Sequence, residues 1–205
     1  MLQQYIKLYE DYDNSILLIV DVQKSFSKFF TPTYLESLKK YCKNFSSVYQ
    51  IWDNHIDGND VDTDYLYSAN PDVPINGDTY TFPNQKRLIE KRYTYKVDVD
   101  FFKNILDENT YKTAKEAEDN DTLKIGDMYE TIKGTHIVYI GNNHMWFHCP
   151  FVLFKLLKSF IGKTVEIVGG SQYECETDVL VTAQAIGVNI KQNYKYIYSA
   201  QGSRI

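Results

Sequence analysis

No apolar run in this 205-residue chain approaches the roughly 20 residues that a membrane-spanning helix needs, so no membrane partner is expected. The segment Met1-Leu-Gln-Gln-Tyr-Ile-Lys-Leu-Tyr-Glu-Asp lacks the basic stretch and apolar core of a secretion leader, which sets the expectation of an intracellular, cytoplasmic protein. Cysteine is scarce. The three present, at 42, 149 and 175, are odd in number and widely spaced, which argues against a disulfide framework or a Cys-x-x-Cys zinc site and predicts free thiols. An excess of basic charge is also missing: 22 Lys and Arg stand against 27 Asp and Glu, a net charge of -5, so there is no electrostatic reason to expect a nucleic-acid partner. The one dense basic stretch, Gln85-Lys-Arg-Leu-Ile-Glu-Lys-Arg92, is expected to be a solvated face or the rim of a site. No fixed repeat period runs through the chain.

What is present is enough for one domain over 1–205, with 43% hydrophobic residues to build its core. Asn14-Ser-Ile-Leu-Leu-Ile-Val-Asp21 is a continuous apolar run ending in an acid, the pattern of a strand buried on both faces of a parallel sheet. From Thr33 to Phe45, Leu35, Leu38, Tyr41 and Cys42 recur at helical spacing behind a capping box of Thr33 and Glu36. Ser46 to Trp52 predicts a second strand, followed at once by Asp53-Asn-His55. Residues 57–84, rich in Asp, Asn, Pro and Gly, predict a long loop holding at most a short hairpin. The polar stretch 107–135 predicts an insertion with an exposed helix.

Strand and helix then alternate again: a strand over His136–Gly141, a helix over Cys149–Ile161 with Pro150 at its first position, a strand over Thr164–Val168, a helix over Cys175–Ile186, and a last strand at Asn189–Ile190 or Tyr194–Tyr198. The passages from Ile140-Gly-Asn-Asn to Cys149-Pro150 and from Val168-Gly-Gly-Ser to Cys175 look like two copies of one β–α unit. The alternation predicts an α/β domain with a mostly parallel central sheet flanked by helices, a three-layer arrangement whose ligands bind outside the carboxyl ends of the strands. Asp21, Asp53, His55 and the Cys175 loop would share that edge.

Cys175 follows a buried strand and a glycine turn and opens an amphipathic helix, where unpaired amides and the helix dipole favour the thiolate. The alternative is a small buried hydrophobe at a strand-to-helix junction. Glu174, a like charge beside the thiol, works against activation.

Three segments together resemble the isochorismatase-like cysteine hydrolases, the superfamily that includes nicotinamidases. Leu17-Leu-Ile-Val-Asp-Val-Gln-Lys-Ser-Phe26 is similar to that family's opening strand with its Asp-x-Gln. Gln50-Ile-Trp-Asp53-Asn-His55 resembles the Asp-x-His at the end of its second strand. Val168-Gly169, Cys175, Thr182-Ala183 and Gly187 resemble its nucleophile segment. The resemblance implies Cys175 as nucleophile, Asp21 as acid and base, and Lys91 as the third catalytic residue, with Lys96 and Lys133 as further candidates. It implies Gln23, Phe26, Trp52, Gly170, Tyr173 and Glu174 as substrate-binding residues. It also implies Asp53 and His55 as ligands of a divalent metal (Zn, Fe or Mn) in the nicotinamidase branch, the third ligand being His136, His144 or His148, although the hydrolysis itself requires no cofactor. The expected activity is cleavage of the amide C–N bond of a small-molecule substrate through a thioester, by a chain that forms homo-oligomers as relatives of this fold do. Two other readings stay open: an inactive member of the fold that binds a ligand or protein, to which an abundance of tyrosine is suited, and a nuclease in which Asp21, Asp53, Glu174 and Asp178 hold Mg²⁺.

Overall fold

The computed structural model of the chain describes residues 15–53, 78–91, 98–141 and 145–200. The apolar run after Ser15 forms β1 (Ile16–Val20), buried at every position. It pairs in parallel with β2 (Ser47–Asp53), with Ile16 beside Ser47 and Val20 beside Ile51. Beyond β2 lies β3 (Gln85–Lys91), also parallel, which ends with Asp53 beside Lys91. The predicted solvated basic stretch is thus an edge strand of the sheet, in which Ile89 and Lys91 are wholly buried while Lys86 stays exposed.

A second, shorter sheet interrupts the series. β4 (Met128–Glu130), β5 (His136–Tyr139) and β6 (Trp146–Cys149) pair antiparallel. β7 (Thr164–Gly169) and β8 (Asn189–Ile197) then return to the first sheet, completing the five-stranded parallel order β3-β2-β1-β7-β8.

Both faces of this sheet are covered, which is why β1 has no polar alternation. Ile16, Leu18 and Val20 face a core shared with α3 (Phe151–Lys158) and α4 (Cys175–Ala185), whereas Leu17 and Ile19 face one shared with α1 (Pro32–Cys42), Tyr196 and Tyr198. The architecture is therefore α/β, with a parallel sheet between helices.

Local chemistry explains where the elements begin. α1 is capped by Thr31, whose hydroxyl accepts the Tyr34 amide at 3.1 Å, and not by the expected Thr33–Glu36 box. Pro32 has a fixed φ and no N–H, so it fits the first helical position and moves the cap to the residue before it. Likewise Pro150 is the N-cap of α3, and Cys149 ends a strand rather than opening a helix. The two late β–α passages are consequently not copies of one unit: one leaves an antiparallel hairpin and the other leaves the parallel sheet.

The stretch 107–135 is ordered around α2 (Glu108–Asp119), capped by Asp107, which accepts from the Asn109 and Thr110 amides at 3.0 Å. α2 buries only Ala114, as its polar sequence requires. Glu118 fastens it, accepting from the Val99 amide at 3.0 Å and from Trp146 Nε1 at 3.1 Å. Of the predicted long loop 57–84, residues 57–77 lie outside the described residues; Thr79 forms an antiparallel bridge with Gln23. Among the described residues no helix is long and apolar enough to cross a membrane.

Candidate active site

Four chain segments deliver charged or thiol side chains to the carboxyl edge of the sheet. Asp21 follows β1 with φ of 50°, a left-handed conformation that Asp tolerates better than most residues, and its amide donates to Ile51 O at 2.8 Å. Asp53 and Lys91 are the last residues of β2 and β3 and lie side by side. Cys175 is the first residue of α4, after the turn that leaves β7. Lys91 Nζ lies 3.0 Å from Asp21 Oδ2, and both side chains are wholly buried. One donor atom from each of Asp21, Asp53 and Cys175 lies within 4.8 Å of the others.

The electrostatics follow from burial in competition with these neighbours. Burial lifts the Asp21 carboxyl to about 6; Lys91 opposes the shift and Asp53 adds to it. Burial alone would push Lys91 down, yet the negative charges of Asp21, Cys175, Asp53 and Asp178 more than offset it and hold the ammonium firmly protonated. Burial also drives the Cys175 thiol well up, Lys91 pulling it down while Asp21 and Asp178 push it higher. At neutral pH the resting site is therefore a thiol, a carboxylate and an ammonium. The helix start does not produce a free-standing thiolate, because desolvation and two carboxylates outweigh it. The carboxylates that push the thiol up are those of Asp21 and Asp178.

The glycine turn is shaped by close approaches. At Gly169, with φ of 104°, a Cβ would run into the backbone of Val20. The Gly170–Ser171 peptide is cis, and a Cβ on Gly170 would come within 2.6 Å of the Tyr198 ring. Tyr198 in turn donates its hydroxyl to the backbone oxygen of Asp21 at 2.7 Å. Ser171 O gathers the amides of Glu174 at 3.0 Å and Glu176 at 3.3 Å, drawing the chain into α4.

The expected substrate-binding residues fall into two groups. Gln23 is buried and bound to backbone: its Oε1 accepts the Asp53 amide at 3.0 Å and its Nε2 donates to Asp53 O at 2.7 Å and Asp78 Oδ2 at 2.7 Å. It laces the ends of β1 and β2 together, which fixes where Asp53 stands. Trp52 precedes Asp53 in β2, so it points to the opposite face of the sheet. Phe26 is half-buried against Phe29, their ring centres 6.3 Å apart. Glu174 is half-buried as the N-cap of α4, and Tyr173, at φ of 65°, is largely exposed beside it.

Of the other expected positions, His55, His144 and Lys96 lie outside the described residues. His148 is committed elsewhere, its Nε2 bonded to Thr135 Oγ1 at 2.7 Å, and His136 stacks on Phe154 at 3.7 Å. Both belong to the small antiparallel sheet, so among the described residues the donors that join Asp53 are Asp21 and Cys175 rather than histidines. Lys133 lies in the turn between β4 and β5, and it is Lys91 that meets Asp21. Tyr198 was not foreseen, because a tyrosine at the end of the last strand carries no sequence signal of a contact with Asp21.

Comparison with models of known protein families, with curated proteins and with solved structures returns no match.

Proposed function

We propose that this protein is a cysteine hydrolase that cleaves the C–N bond of a small-molecule amide through a thioester, in the manner of the isochorismatase-like enzymes that its motifs resemble. The observation that carries the reading is the buried Lys91–Asp21 pair, 3.0 Å apart, beside the thiol of Cys175. Fully buried lysines are rare unless paired, and this pair sits at the strand ends where an α/β sheet places its chemistry.

The steps follow from the resting charges. Cys175 Sγ attacks the amide carbonyl carbon while its proton passes to the Asp21 carboxylate, so no free thiolate has to persist. The carbonyl oxygen becomes an oxyanion beside the first amides of α4, donors with no partner inside the helix. On collapse the C–N bond breaks, and the nitrogen leaves with the proton that Asp21 had taken. Water then attacks the thioester, Asp21 accepting its proton and returning it to sulfur, which releases the carboxylic acid. Lys91 stays an ammonium throughout and keeps Asp21 charged between proton transfers. No step uses a metal. A nuclease reading, with Mg²⁺ on Asp21, Asp53, Glu174 and Asp178, is disfavoured by the ammonium fixed on Asp21.

The test is ammonia release from a panel of small carboxamides, nicotinamide included, with acyl-enzyme trapped as a hydroxamate by hydroxylamine. Turnover that is lost in Cys175→Ala and Asp21→Asn supports the reading. No release by the wild-type protein from any amide, or release that survives Cys175→Ala, refutes it.

A further inference from the structure

Tyr198, just past β8, takes no part in the steps above, yet it is bonded to both of the segments that do. Its hydroxyl donates to the backbone oxygen of Asp21 at 2.7 Å. Its amide donates to Gly169 O at 2.7 Å and its carbonyl accepts the Gln172 amide at 2.9 Å, on either side of Gly170 and Ser171 in the turn that leads to Cys175. We infer that Tyr198 is a positioning residue for the hydrolysis: by tying the Asp21 carbonyl to the nucleophile turn, its hydroxyl keeps the Asp21 carboxylate where it can take the Cys175 proton. The inference deepens the hydrolase reading and rests on it.

Asp21 is a residue that needs such a hold. At φ of 50° it stands in a left-handed conformation, which a non-glycine residue keeps only where its surroundings impose it. Its amide is pinned to Ile51 O on β2 at 2.8 Å. On the carbonyl side the Gln23 amide, at 3.1 Å, belongs to the same local turn, whereas the Tyr198 hydroxyl arrives from the far end of the chain. Val20, one residue earlier, is already held by the Gly170 amide at 2.9 Å, so what the phenol adds is a grip on Asp21 itself. Burial, together with the charges of Asp21 and Cys175, holds that phenol well above its ordinary range, and it stays a donor.

Ring and hydroxyl have separable tasks. The ring packs in the core with its centre 5.4 Å from that of Phe30 and 6.4 Å from that of Tyr34, contacts that phenylalanine would keep. Tyr34 is the matched control: it is buried in the same core, and its hydroxyl also donates to a backbone oxygen, that of Tyr196 at 2.9 Å. Removing either hydroxyl deletes one buried bond to backbone, but only one of the two bonds reaches Asp21.

The experiment compares wild type, Tyr198→Phe and Tyr34→Phe as full chains, with folding checked by urea unfolding. Cys175 alkylation by iodoacetamide at neutral pH is read by mass spectrometry, and kcat and KM are measured on any amide the wild type turns over. A misplacement of about 1 Å in a catalytic group can cost about 10²-fold. Tyr198→Phe should therefore alkylate at least about tenfold more slowly than wild type and lose kcat by a similar factor with KM little changed. Tyr34→Phe should alkylate like wild type. Because Tyr198 acts through Asp21, adding Tyr198→Phe to Asp21→Asn should slow alkylation no further. A wild-type alkylation rate in Tyr198→Phe, an equal loss in Tyr34→Phe, or a full further loss in the double variant would overturn the inference. So would a Tyr198→Phe protein that does not fold, its hydroxyl then serving the fold alone. A wild type that releases ammonia from no amide refutes the hydrolase reading, while the alkylation rates still decide the hold on Asp21; turnover unimpaired in Tyr198→Phe refutes the role of Tyr198 alone.

Discussion

Replacing Lys91 by Met keeps a side chain of similar length and removes only the charge that faces Asp21. In the wild-type protein the two charges are 3.0 Å apart with no solvent exposure on either side. Removing one partner of such a pair leaves an uncompensated buried charge, at a cost of about 3–5 kcal/mol. The pH dependence makes the prediction specific. Asp21 stands at about 6 even with Lys91 opposing the effect of burial, so without Lys91 its pKa moves higher. A carboxyl whose folded-state pKa lies above its unfolded value binds protons more readily when folded, so folding gains stability as pH falls through the raised pKa. The wild type, with Asp21 at about 6, gains in this way only below about 6. The gap between the proteins therefore narrows as pH falls toward about 6 and holds below it, by at most about 1.4 kcal/mol per pH unit, the slope for one proton. Urea unfolding at pH 8 and pH 5 should thus show a large deficit for Lys91→Met at pH 8 and a smaller one at pH 5. Adding Asp21→Asn should restore much of the loss at pH 8, since the orphaned charge is gone. A deficit under about 0.5 kcal/mol at pH 8, or one that does not change with pH, would refute the reasoning.

Burial holds His148 down to about 4 from its ordinary 6.5. A base with a depressed pKa contributes stability above its unfolded value and loses it as pH falls, here between 6.5 and 4, by about 3 kcal/mol in all; the stability difference between wild type and His148→Gln should move across that window, and parallel curves would contradict it. Gly170→Ala places a methyl within 2.6 Å of the Tyr198 ring, which should cost about 1–3 kcal/mol in thermal or urea unfolding, and a neutral outcome would show that the turn yields freely.

Much of the parallel sheet is legible from the chain. Ile16–Val20 is a continuous apolar run because it is covered on both faces, Thr164–Gly169 is apolar and buried at Val165 and from Ile167 on, and Gly169 and Gly170 mark the turn into α4. Short runs misled where topology was at stake: His136–Tyr139 and Trp146–Cys149 have four residues each, too few to distinguish a parallel strand from one arm of a hairpin. Asp21 and Cys175 were visible as a strand-end acid and a helix-start thiol. Lys91 was not visible from local pattern, since a lysine among Lys86, Arg87 and Arg92 reads as surface; only the motif resemblance singled it out. Its burial is a tertiary fact, set by the register that lays it beside Asp53. The same holds for Tyr198, which meets a residue 177 positions away.

The central claim, that Asp21 serves as base to Cys175 under the control of Lys91, is tested most directly by the pH profile of Cys175 alkylation with iodoacetamide, read by mass spectrometry in wild type, Asp21→Asn and Lys91→Met. The account predicts a wild-type rate that rises through an ionisation at about 6 and then levels, falls by about 10²-fold or more in Asp21→Asn, and shifts its rise to higher pH in Lys91→Met. A rate that climbs only with an ordinary thiol ionisation near about 8.5, the same in all three proteins, would contradict it.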